Sequence, residues 1–432
     1  MKKYCLLGLS AGLSPATFAQ LTDWIRPVAE LQAGDTAWVA VCAILVLFMT
    51  IPGLALFYGG MVRKKNVLAT MVQSFAVCCL ISLLWMGVGY SLAFTPGDGF
   101  LGGSERLFLN GLNVFTEQQM LTVYPGAPTI PESVFMVFQM AFAIIAGAII
   151  TGALAERMKF SALLCFVGLW SLLIYVPTAH WVWALDGWLA NDGVLDYAGG
   201  TVIHINAGVA GLVAAIMLGK RVGYGREVIT PHNLVLTLIG TAMLWIGWFG
   251  FNAGSALAAD GRAGMALATT QIAAASGALS WILIETLCRH KPSALGLVSG
   301  AVAGLVGITP AAGFVSVQSA LFIGAITGAV CFVGVTKLKY WCGYDDSLDA
   351  FGIHGIGGIV GAVLTGIFVS SEITGAETTV WIQLKSVLIT VVFSAVGSVI
   401  LLKIIDKFIG LRVDHDAERQ GLDLVLHGER VE

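Results

Sequence analysis

Charge is what this sequence has least of. Only 11 % of its 432 residues are Asp, Glu, Lys or Arg, against about 25 % in soluble globular domains. That scarcity excludes a soluble enzyme and a disordered chain. Its 23 basic and 26 acidic residues leave a net charge of −3, so there is no basic face for nucleic acid. Eight cysteines are present, mostly in apolar runs or beside basic loops. They form no CxxC pattern and suggest no disulfide framework, so buried free thiols are expected.

What is there in quantity is apolar and small. Hydrophobic residues make up 57 % of the chain and glycines number 53. A membrane-spanning helix needs about 20 apolar residues, and small residues let such helices approach closely. The expectation is an all-α polytopic bundle. Residues 1–19 read as a secretory signal peptide: Lys2 and Lys3, a short apolar core, then Thr17-Phe18-Ala19. Eleven apolar runs follow, near 36–58, 67–94, 132–155, 160–185, 198–219, 231–254, 263–288, 293–310, 317–338, 348–369 and 380–408. The membrane domain is therefore placed at 20–410, with a tail at 411–432.

Seventeen basic residues fall on one side of these spans. Arg26, Arg106, Arg262 and Lys385 fall on the other, and Lys2 and Lys3 lie in the leader. The positive-inside rule makes the first side cytoplasmic. The mature amino terminus is then outside, the carboxy terminus inside, and the location an inner (plasma) membrane. The tail carries three arginines against six carboxylates. It is too polar to enter a bilayer and gains order only by docking, on Arg63–Lys65 and Lys220–Arg226 or on a partner. Glu156-Arg157 and Asp345-Asp346 read as solvated charges at span ends.

Two segments match each other across the chain. Ile203-His204 and Ile353-His354 are each followed by Gly four and seven residues after the His, at Gly208 and Gly211, and at Gly358 and Gly361. The first lies in the fifth span and the second in the tenth, which run in opposite directions. Two five-helix inverted repeats plus one extra helix is a transporter architecture, with its path near the midplane between repeats. Intramembrane ionisable groups default to function, and His204 sits roughly 10 Å deep at 1.5 Å per residue. Burial disfavours an imidazolium and a second one beside it costs more, so such a pair holds at most one proton. No Cys, Asp or Glu shares the faces of the two histidines at useful spacing, so no metal site is expected. Two separate histidines bonded to carbonyls, or a pair of haem ligands, remain the alternatives.

With these motifs in view, the chain resembles the ammonium transporters of the Amt/MEP/Rh superfamily, of the bacterial Amt type. The resemblance rests on Phe57-Tyr58-Gly59-Gly60, Gly152 to Arg157, Asp196 to Asn206, Gly247 to Ser255, Ile308 to Ala311 and Phe351 to Gly355. It implies a homotrimer with one pore per subunit, His204 and His354 as pore histidines, and no cofactor or enzymatic activity. It also implies an outer vestibule where Trp183, Ser255 and Phe142 recruit ammonium, with methylammonium as a second substrate, and Phe142 and Phe251 as a stacked gate. Phe138, Trp248 and Asp196 match supporting positions. The tail resembles one that binds a PII-type signal protein, and a sensor acting through that regulator is the second reading. The residues themselves say less. Trp183 can hold a cation on its face for about 0.5–2 kcal/mol or anchor at the membrane interface, a role better suited to Trp181 and Trp188. Asp196 can cap its helix or act at long range by charge.

Overall fold

The computed structural model describes residues 24–431; the expected signal peptide lies outside them. Among the described residues, ten helices are long and apolar enough to cross a membrane. They are α1 (Ala33–Met61), α2 (Lys64–Phe94), α3 (Glu132–Leu154), α4 (Phe160–Asn191, interrupted after Trp183), α5 (Gly200–Leu218), α6 (Leu234–Gly254), α7 (Gly261–Arg289), α9 (Val317–Cys342), α10 (Phe351–Phe368) and α11 (Val380–Phe408). The shorter α8 (Ala294–Ile308) occupies the place of the eighth expected span. Eleven apolar helices thus stand where eleven apolar runs predicted them. Leu279, Leu283 and Leu287 on α7, and Leu388, Val392 and Val396 on α11, form exposed stripes at four-residue spacing. Such stripes suit lipid rather than water.

On the face opposite the basic loops, three short strands cover the bundle: β1 (Ile25–Pro27), β2 (Val114–Phe115) and β3 (Met120–Thr122) pair antiparallel in the order β1-β3-β2. Trp24 is buried beneath them, with the Arg106 guanidinium 4.8 Å from its ring centre. Arg106 in turn bonds the buried Glu132 at 2.8 Å.

The two repeat-related helices cross at their glycines. A Cβ on Gly208 would fall 2.3 Å from the backbone nitrogen of Gly355, and one on Gly358 would fall 2.9 Å from the carbonyl of Gly200. Each helix therefore presents its +4 glycine to the start of the other. Both starts are π-turns, Gly200–Ile205 and Phe351–Gly355, and each turn contains its histidine. Asp196 accepts hydrogen bonds from the N–H groups of Gly199, Gly200, Thr201 and Val202. Asp346 accepts them from Ala350 and Phe351. Each aspartate stands eight residues before its histidine. Both satisfy donors that the start of a helix leaves free, so Asp196 is a cap.

The loop charges differ from expectation. Glu156, Arg157, Asp345 and Asp346 are buried, not solvated. Glu156 bonds Arg63 at 3.1 Å and Arg221 at 2.9 Å, and Arg221 bonds Asp345 at 2.9 Å. Burial alone would raise the Glu156 carboxyl, but Arg221 and Arg63 hold it below the usual carboxylate range. The sequence shows the charges but not that four loops fold over one another around them. The cysteines also depart in part. The seven described are free, yet Cys79, Cys165, Cys288 and Cys342 are exposed on the protein surface. Trp181, expected at a lipid interface, is buried and donates to the Phe100 carbonyl at 2.8 Å.

The tail docks on the loops named from its charge. It forms two short helices, α12 (His415–Gln420) and α13 (Leu422–His427). Arg412 donates to the carbonyls of Leu218 and Lys220, and Glu418 accepts from the Val222 N–H. Asp423 accepts from the N–H groups of Leu68 and Ala69 at the start of α2.

Gly208→Val should drive α5 away from α10. A lowered melting temperature is expected, with a loss of about 2 kcal/mol or more, in detergent-solubilised protein followed by intrinsic fluorescence. Unchanged melting would mean the crossing tolerates a side chain.

Candidate functional site

The site is built from five helices whose buried faces converge on the crossing. His204 and His354 are almost completely buried, and their Nδ1 atoms are 3.1 Å apart. That distance requires one Nδ1 to carry a proton and the other to accept it. The two rings lie stacked, centres 5.2 Å apart and planes 20° apart. Separate histidines bonded to backbone carbonyls are therefore not what the chain contains.

A column of aromatic rings leads to this pair. Trp183 meets Phe142 edge-on at 5.9 Å, and Phe142 stacks on Phe251 at 4.4 Å with planes 4° apart. Phe138 leans on Phe142 at 4.7 Å. Beyond Phe251, Trp248 stacks on His204 at 5.3 Å and is pinned by a 2.8 Å bond from its Nε1 to the Thr309 hydroxyl. Past His354 a narrow apolar space is lined by Phe57, Ile145, Ile149, Leu244 and Val302 among others. Trp183, Phe142, Phe251, Trp248 and the two histidines thus form a continuous series of ring contacts, with Phe138 against Phe142.

Above the stacked phenylalanines, on the face opposite the tail, lies a cavity of about 160 Å³. Phe142, Trp183 and Ser255 border it, together with Gln139, Tyr124 and Tyr197. The Ser255 hydroxyl donates to the Phe251 carbonyl at 2.9 Å, so only its lone pairs remain for a ligand. The Trp183 Nε1 donates to the Asp196 carbonyl at 2.8 Å, so Trp183 offers its ring. Asp196 therefore holds Trp183 through its main chain and α5 through its side chain. Its carboxylate is spent on backbone N–H groups, and burial pushes its carboxyl above the usual range despite them.

Gln139, Tyr124 and Tyr197 were not singled out from sequence. Gln139 carries a readable signal, standing three residues before Phe142 on the same helical face. Tyr197 had one in its place next to Asp196. Among the described residues, no group of three or more His, Cys, Asp or Glu could hold a metal ion.

The sequence profile described as the Ammonium Transporter Family matches residues 37–432. The chain belongs to the ammonium transporter family. An ammonium transporter of Bacillus subtilis (strain 168) is 49 % identical over 411 residues, 93 % of this chain and 98 % of that one. The fold agrees with the crystal structure of Saccharomyces cerevisiae Mep2, with a TM-score of 0.81 and 36 % identity over 89 % of this chain and 91 % of Mep2. It agrees also with a structure titled Sensor Amt Protein, with a TM-score of 0.83 and 29 % identity over 91 % of this chain and 98 % of that one. Members named transporters and one named a sensor thus share this multi-pass bundle.

Asp196→Ala should leave four N–H groups at and just before the start of α5 without an acceptor and cost about 3 kcal/mol or more. Asp196→Asn keeps one carbonyl oxygen and should fall between. Thermal unfolding of the three proteins orders them; an Ala variant as stable as the parent would reassign Asp196 to a purely electrostatic role.

Proposed function

We propose that this protein takes up ammonium through the His204–His354 axis by separating it into ammonia and a proton. The observation carrying this reading is the unbroken line of rings from Trp183 to His354, closed at the Phe142–Phe251 stack. Ammonium is held first on the Trp183 face and the Ser255 lone pairs in the outer cavity. The gate and the apolar space beyond it disfavour a bare ion strongly. Ammonia passes, and the proton moves through the histidine pair, which has one shared proton position between its Nδ1 atoms. Potassium has a similar size but no proton to give up, so the same barrier rejects it. Methylammonium enters less readily because of its bulk.

The basic loops and the tail are assigned to the cytoplasmic face of the inner membrane, following the charge asymmetry. The assembly is assigned as a homotrimer in membrane lipid, with the tail as the docking region of a PII-type signal protein. A sensing role stands beside transport because the tail is seated on the loops, through Arg412 to the Lys220 carbonyl and Glu418 to the Val222 N–H, where a bound regulator would meet both. No chemical transformation is assigned to the site.

Proteoliposomes given an ammonium pulse should show an inward current, smaller with methylammonium and absent with potassium. Replacing both histidines by Ala should abolish it. An equal potassium current would overturn the proton-separation mechanism, and a full current from the double variant would make the histidines structural.

Removing residues 411–432 should leave an inserted trimer with reduced current and no binding of a PII-type protein. Binding at undiminished affinity would move the regulatory surface to the loops.

A further inference from the structure

We propose that His180 and Asp186 form a proton-operated latch on the face opposite the tail, and that ammonium is captured most readily when His180 is neutral. The proposal rests on the transport reading above and goes beyond it in making substrate capture follow the pH of that face.

The latch lies where α4 breaks. After Trp183 the chain turns through Ala184 to Gly187. Gly187 is packed so closely on the turn before it that a Cβ there would fall 2.3 Å from the His180 carbonyl. The turn brings Asp186 to His180. One Asp186 carboxylate oxygen accepts from the Gly97 N–H at 2.7 Å, and the other stands 3.7 Å from the His180 Nε2. Beside them Trp181 donates to the Phe100 carbonyl, and the Trp188 N–H donates to the Gly99 carbonyl. The break in α4 and the loop that follows α2 are thus laced together around His180.

The bonds of His180 define its tautomer. A carbonyl only accepts, so Nδ1 carries a proton and donates to the Ala93 carbonyl at 2.9 Å. In the neutral ring Nε2 is then a lone pair. It is completely buried and has no hydrogen-bond partner. It faces a carboxylate oxygen, also an acceptor, across a gap too long for a hydrogen bond. A second proton turns the opposed acceptors into a donor and an acceptor. Charge-assisted bonds of this kind are about 2.7–2.9 Å long, so the pair draws together and the latch closes.

The proton has a route to solvent. Asp186 is 35 % exposed and borders an open cleft with Asp98, Asn191 and Asp192. The other charged groups nearby are mostly paired. Asp192 is held by Lys385 at 2.6 Å, and Tyr90, Glu132 and Arg106 bind one another. Asp98 accepts the Phe100 and Leu101 N–H groups and lies close enough to feel a charge on His180. The Tyr124 phenol lies within reach of the Asp186 charge. With His180 neutral, Asp98 and Asp186 are two carboxylates without a cationic partner; with His180 charged, one of those charges is cancelled. Tyr124 and Leu185, the residue before Asp186, border the Trp183 cavity. Negative charge at a mouth concentrates cations there, so protonation of His180 weakens the capture of ammonium.

The half-saturating ammonium concentration is measured in proteoliposomes with the lumen pH fixed and the bath between pH 5 and 8, where histidine changes charge. The parent should need about two- to threefold more ammonium at the acid end, the effect of one partly screened charge. His180→Asn keeps a donor for the Ala93 carbonyl and cannot titrate, so its value should stay at the parent's pH 8 level throughout. Asp186→Asn should raise the pH 8 value to near the parent's acid value, and as a surface change it tests the latch even if His180→Asn fails to fold. A flat parental profile, a parental slope in His180→Asn, or a parental pH 8 value in Asp186→Asn overturns the proposal. Absence of ammonium current in the parent overturns the transport reading itself.

Discussion

A helix that starts inside a membrane protein brings its first N–H groups into a place where water cannot serve them. Two helices of this chain do so, α5 and α10, and much of the site follows from how they are satisfied. Asp196 and Asp346 take the free donors. With their starts secured, both helices open with a π-turn that carries a histidine. The widened turn and the +4 glycines together let the backbones cross in contact. The imidazoles meet because the helices do. Carboxylates, glycines and histidines thus form one device, repeated with inverted direction.

That device explains why the aromatic column can be so closely packed without a charge in it. The Asp196 carboxylate faces backbone, not the cavity, and its main-chain carbonyl anchors Trp183. A single residue therefore sets the start of α5 and the orientation of the Trp183 ring. The carboxylate's negative charge is absorbed by four N–H dipoles, so the cavity wall offers ring faces and lone pairs rather than a free charge. Those suit a weakly hydrated donor cation better than a strongly hydrated one.

Much of this was legible in the sequence, for physical reasons. Apolar run length fixes the spans because the bilayer has a fixed thickness. The His-x3-Gly-x2-Gly match at 204 and 354 was visible because both halves face the same crossing constraint. The π-turns were not visible, since a one-residue change in hydrogen-bond register has no residue signature of its own. Burial of Glu156 and Asp345 was not visible either. A charged residue at a span end looks the same in sequence whether it meets water or, as here, Arg221 from another loop. Gln139 escaped notice because a lone amide on an apolar helix is normally paired, and only its surroundings show that it is not.

The buried ion pairs also connect the two ends of the molecule. Glu418 of the tail holds the Val222 N–H, Arg221 beside it holds Asp345, and Asp346 next in sequence caps the helix of His354. A chain of contacts transmits a change only where some member has two arrangements. Breaking a buried, fully bonded pair such as Arg221–Asp345 costs about 3–5 kcal/mol, which keeps the middle of the chain in one state. The tail contacts are mixed in kind. Lys65 to the Arg419 carbonyl is exposed, where a contact is worth about 1 kcal/mol or less, but Glu418 and Asp423 are buried where they accept the Val222, Leu68 and Ala69 N–H groups, and Val413, Ala417 and Leu422 pack with Ala69. The tail is therefore seated as a continuation of the buried ring, which links that seat to α10.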